Sequence, residues 1–110
     1  MKKILASLLT AGALSTGAYA ECSAGACSDV TVDFILVLTS GTISVGTSGT
    51  ETGLTCTASG GKYLAITADA AGKAAMYSAL LTAQTTNKKL SIRLNDTTDA
   101  CQIAYVMSKS

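Results

Sequence analysis

No histidine, tryptophan or proline occurs anywhere in the 110-residue chain, phenylalanine occurs once, and only 14% of residues are charged. Without histidine there is no general base for Ser-His-Asp or Cys-His catalysis, and no imidazole-ligated metal. Without proline there is no Pro-rich linker, and no internal repeat divides the chain. Long apolar runs are missing too. The most apolar stretch, Ile4 through Leu14, is too short to cross ~30 Å of hydrocarbon, and Gly12, Ser15, Thr16 and Gly17 interrupt its end.

That stretch is better read as an export signal. Lys2 and Lys3 form a basic start, the apolar segment follows, and Ala18-Tyr19-Ala20 places small residues at the −3 and −1 positions of a signal-peptidase cut. Residues 1–20 are therefore expected to be a signal peptide, and residues 21–110 a single disulfide-bonded domain that is secreted or periplasmic, in a bacterial setting. Removing Lys2 and Lys3 leaves six Lys or Arg against seven Asp or Glu, a formal charge of −1. No basic patch remains to neutralise phosphates, which excludes nucleic acid as the expected partner and disfavours anionic membrane surfaces.

Four cysteines survive cleavage: Cys22, Cys27, Cys56 and Cys101. An even count in an exported chain of this size reads as two disulfides, with three connectivities open. The favoured pairing is Cys22–Cys27, closing a tight N-terminal loop, with Cys56–Cys101 spanning the middle of the chain. In the chain-entropy model the long loop contributes ~4 kcal/mol and the short one ~2. Zinc is disfavoured, because no Cys-x-x-Cys pair accompanies the missing histidines. A cysteine nucleophile would need an unpaired thiolate, which this pairing does not leave.

Along the mature chain, Val30 to Leu38 begins as a period-two strand with Val30, Val32, Phe34, Leu36 and Leu38 on one face. Ile35 and Val37 then make the opposite face apolar, so the strand is expected to become buried on both sides. Thr42 to Val45 continues the alternation. Residues 39–53, rich in Gly, Ser and Thr, read as a flexible connection whose hydroxyls could also bond a sugar. Leu54–Ala58 and Tyr63–Thr67 read as a hairpin around Ser59-Gly60-Gly61. Asp69 is placed to cap a helix from Ala70 to Gln84, with Met76, Tyr77, Leu80, Leu81 and Ala83 as its apolar stripe. At about 100° per residue the other side carries Ala75, Ser78, Ala79 and Thr82. Those four small uncharged residues mark a candidate oligomer interface, since a monomer's outer helix face normally carries charge. Lys89–Leu94 and Cys101–Met107 read as the last strands. The expected class is mainly β with one helix (α+β): a five-stranded OB-fold-like barrel with its helix between strands 3 and 4.

The segments Thr55-Cys56-Thr57, Tyr63-Leu64-Ala65-Ile66, Met76 to Leu81, and Lys89-Leu90-Ser91-Ile92-Arg93-Leu94, with Cys101 before a final strand, resemble small secreted OB-fold proteins akin to the B subunits of bacterial AB-type toxins. The subtilase cytotoxin and pertussis-like branches are the most similar. The likeness covers about half of the mature chain. It implies a non-catalytic, carbohydrate-binding ring, a homo-oligomer that is a pentamer if toxin-like, with a glycan or a partner protein as ligand and no cofactor. The alternative is a structural or accessory envelope protein with no soluble ligand.

Other chemistry is weaker. Asp96 and Asp99 suggest a carboxylate pair or a calcium site, but Asn95-Asp96-Thr97-Thr98-Asp99 has the composition of a solvated turn. Tyr63, Tyr77 and Tyr105 could stack on a sugar face, yet each sits where core or interface packing is the default. The chain is expected not to be an enzyme. The first test follows from the export signal. The intact mass of the exported product should correspond to residues 21–110, and a folded product retaining residues 1–20 contradicts that reading.

Overall fold

The computed structural model describes residues 20–95 and 100–108. Most of the expected signal peptide (1–19) and the segment bearing Asp96 and Asp99, expected as a solvated turn, lie outside them. The described chain is mainly β with a single α-helix. Its strands are β1 (Glu21–Ser23), β2 (Ala26–Val30), β3 (Val32–Val37), β4 (Ile43–Thr47), β5 (Leu64–Ile66), β6 (Leu90–Asn95) and β7 (Gln102–Ser108). The helix α1 (Lys73–Thr86) joins β5 to β6, and a short 3-10 turn η1 (Glu51–Gly53) follows β4. These strands form one curled sheet in the order β1-β2-β6-β7-β5-β4-β3. The described strands thus number seven rather than the expected five, and the helix follows the fifth rather than the third.

The difference arises near the N-terminus. Residues 21–30 contain no sustained apolar alternation, yet they make a hairpin whose pairs are Glu21↔Ser28, Cys22↔Cys27 and Ser23↔Ala26. The expected strand from Val30 to Leu38 is interrupted at Thr31: Val30 ends β2, which starts earlier and pairs with β6, and Val32–Val37 form β3, which pairs with β4. Irregular register between Cys27 and Val30, with Asp29 at φ 52°, and again between Val32 and Phe34 marks a bulge in each strand. Bulges bend a strand and raise its twist, so one continuous stretch of backbone serves both ends of the sheet.

The bulge beside Asp33 also changes which side chains face inward. Opposed residues in an antiparallel pair point the same way. Ile35 lies opposite Val45 and Val37 opposite Ile43, so these two join the inner face, while Phe34 and Leu36 turn outward opposite Gly46 and Ser44. The strand does not become buried on both sides: Leu36 is 42% exposed, Val37 61% and Leu38 46%.

The core is built from Val30, Val45, Leu64, Ile66, Ile92 and Leu94, joined by Leu80 and Ala83 of the helix. Residues 54–58 do not form a strand. Leu54 makes only an isolated bridge to Ala24 and Ser59 one to Tyr63, while β5 pairs with β4 and, in parallel at Ala65↔Gln102, with β7. Asp69 does not cap α1. The N-cap is Gly72, with no side-chain bond, and the helix stops where Asn87 turns left-handed at φ 57°. Lys73 Nζ donates to the Gly41 carbonyl (3.1 Å) and Gln84 Nε2 to that of Asp33 (3.4 Å), so α1 lies alongside β3. No helix among the described residues is long and apolar enough to cross a membrane.

Cys22 is bonded to Cys27 and Cys56 to Cys101, the pairing favoured from the sequence. The second bond ties the segment before β5 to the start of β7, across 45 residues that include the helix. Replacing Cys56 and Cys101 together by Ala should lower unfolding stability by ~2–5 kcal/mol. The matching Cys22/Cys27 double replacement should cost less, because its loop is short. Denaturant titration of both variants measures the difference, and a larger loss for the Cys22/Cys27 variant contradicts the ranking.

Candidate functional site

Between Asp33 and Lys62 the chain has one charged residue, Glu51. Residues 46–53 around it are glycine and hydroxyl residues, expected as a flexible connection, but they are held against the body of the protein. Glu51 is 2% exposed. Its Oε2 accepts from the Thr47 backbone N–H (2.8 Å) and from the Thr47 hydroxyl (2.7 Å). The same hydroxyl oxygen accepts from Gly49 N–H (3.1 Å). On the other side Lys62 Nζ stands 3.4 Å from Oε1 and donates to the Thr47 carbonyl (2.9 Å). A buried carboxylate needs both a counter-charge and donors, and here one carboxylate has both.

This latch presses the segment against the N-terminal hairpin. A Cβ at Gly49 would stand 2.7 Å from Cys22 Sγ and 3.1 Å from Val30 Cγ1, so only glycine permits that approach. Lys62 also lies 5.9 Å from the centre of the Phe34 ring, whose edge contact with Tyr63 spans 5.4 Å. Nothing in the residue pattern pointed to this latch. The available signal was the solitary acid in an otherwise uncharged stretch.

The expected interface residues occupy a different place. Ala75, Ser78, Ala79 and Thr82 form the helix wall of a groove of about 340 Å³, closed on the far side by Leu90, Lys88 and Ser108. A second cavity of about 340 Å³ shares Ala75 and Ala79 and continues the groove toward Met76, Ala104 and Tyr105. Ala75, Ser78 and Thr82 are exposed and Ala79 is half-buried, so the four residues lie on an open helix face that borders β7. Leu81, assigned to the buried stripe, is 38% exposed. Of the tyrosines, Tyr63 packs on Phe34, Tyr77 packs against the core, and Tyr105 is 53% exposed on β7. Tyr105 and Met107 lie opposite Arg93 and Ser91, on the outer face of the sheet. All four cysteines are bonded.

No family model matches the chain, and no curated protein or solved structure matches it.

The latch makes a direct stability prediction. Glu51→Ala orphans two buried donors of Thr47 and should cost about 3 kcal/mol, given ~1–3 kcal/mol for each unsatisfied group. Glu51→Gln keeps an acceptor and should cost less. Chemical denaturation of the two variants measures the order, and equal losses contradict a hydrogen-bonding role for the carboxylate.

Proposed function

We propose that the mature chain is an exported, non-catalytic binding protein with an OB-type barrel, working as a homo-oligomer. The barrel reading is supported by the pairing order. With β2 and β3 counted as one bent strand and the β1 hairpin set aside, five strands remain. The helix then follows the third, and the third and fifth pair in parallel through Ala65↔Gln102. The bent strand meets β4 with one half and β6 with the other, as closure of such a barrel requires.

The observation that carries the oligomer is the surface around α1. Lys73 is the helix's one charged residue, and its amine is turned to the Gly41 carbonyl. No exposed helix position further along is charged. On the β3 flank stand Leu36, Val37, Leu38 and Leu81; on the β7 flank stand Tyr105 and Met107. Exposed large apolar residues on both flanks of a helix whose one charged side chain is turned aside are the kind of feature that marks an interaction surface. Because the two flanks differ, contact between them is head-to-tail, and a head-to-tail contact that closes is a ring. The resemblance to toxin B subunits supports the same assembly, with a glycan as the ligand it presents.

Light scattering on the purified mature protein tests this. The reading predicts a multiple of the protomer mass, roughly 9 kDa as 90/110 of 11.0 kDa. Ala79→Glu, in the groove, and Val37→Lys, on the β3 flank, should each shift the mass to one protomer with both disulfides intact. A wild-type monomer at micromolar concentration overturns the oligomer. Unchanged mass in both variants removes α1 and its flanks from the interface.

A further inference from the structure

We infer that the segment from Thr52 to Gly61 is a binding site for a single neutral polyhydroxyl unit, a sugar ring rather than a charged group. This site deepens the glycan-binding reading above and rests on it for biological meaning. The geometry is independent of the helix groove.

The segment lines an open concavity of about 270 Å³, its walls formed by Thr52, Leu54, Thr55, Thr57, Ala58 and Gly61 together with Cys56. That volume falls just below the ~300–1,000 Å³ of drug-sized ligand sites, so it suits one ring and not a chain. Its ends meet, since a Cβ on Gly61 would stand 3.5 Å from Thr52 Cγ2. Each part of the wall is fixed from behind. Thr52 follows the latched Glu51, and Leu54 bridges to Ala24, with Thr55 N–H donating to the Ala24 carbonyl (2.8 Å). Cys56 is covalently bonded to Cys101, and the turn closes through Gly61 N–H to the Ala58 carbonyl (2.9 Å). A site whose walls are already ordered avoids the entropy of ordering them on binding.

Chemistry selects the ligand. No charged side chain lines the concavity. The adjacent Lys62 directs its amine away, to Glu51 and the Thr47 carbonyl. A phosphate, a carboxylate or a cation would find no counter-charge there. Thr52, Thr55 and Thr57 are exposed, and among the described residues their hydroxyls hold no hydrogen bond. Each hydroxyl can donate and accept, which matches the paired donors and acceptors of vicinal diols. The threonine methyls supply apolar contact for the C–H face of a ring, over a floor to which the buried Leu54 and Ala58 contribute.

Amide chemical-shift mapping of the mature, disulfide-intact protein tests the site, with the methyl glycosides of galactose, mannose and N-acetylglucosamine as probes at millimolar concentration. At least one probe should shift amides within residues 52–61 while leaving those of 75–86 in place. Thr55→Val and Thr57→Val keep size and exposure, so the spectrum should stay dispersed while the dissociation constant rises about tenfold in each. Shifts confined to the helix and β7, or unchanged affinity in both valine variants, overturn this site and leave glycan binding standing. No shift with any probe overturns the site, and a glycan array that is also blank removes the glycan-binding reading with it.

Discussion

One stretch of backbone, residues 26–37, has to pair on both sides of the molecule, and the rest of the architecture follows from how it bends. Its first half meets β6 and its second half β4, with a bulge in each. A straight strand could not curl the sheet back toward its own start; a bulged and twisted one can. The same bends turn Ile35 and Val37 inward at the end of the sheet where no further strand covers them. The helix then packs beside β3, anchored by Lys73 and Gln84 at its two ends, and contributes Leu80 and Ala83 to the core. The exposed apolar residues that flank α1 are thus a consequence of the bend and of a helix too slender in side chains to hide them.

The two surfaces differ in kind. Around α1 the residues are mostly small and carry little charge, Lys73 at the helix start and Lys88 at the groove wall being the charged side chains, which suits close approach by another chain. Around residues 47–62 the molecule is polar, and a buried carboxylate, a lysine and a disulfide hold its backbone in place. The proposed assembly surface and the proposed sugar site are thus separate in the fold, and each is independently open to mutation.

The legible parts of the sequence were those where a local pattern meets a regular element. The alternation in Leu90, Ile92 and Leu94 gave β6 with its inner face correct, and the spacing of Met76, Tyr77 and Leu80 gave the helix. The cysteine count with the two loop lengths gave the disulfide pairing. What stayed hidden depends on partners distant in the chain. The bulge beside Asp33 is defined only against β4, and without it Ile35 and Leu36 exchange faces. The hairpin of Cys22 and Cys27 has almost no apolar alternation, because its inward residues are the cysteines themselves. Leu54–Ala58 has strand composition, but its neighbours leave it a single bridge. Glu51 looked like a loop acid because Lys62, eleven residues later, carries the other half of its meaning.

The central claim is that α1 and its apolar flanks are covered by a second copy of this chain. Backbone hydrogen exchange measured across a dilution series reads that cover residue by residue. The account predicts that amides of residues 75–86 and 104–107 become protected as protein concentration rises, while those of 47–61 exchange at a constant rate. Exchange independent of concentration along α1 and β7 would contradict it.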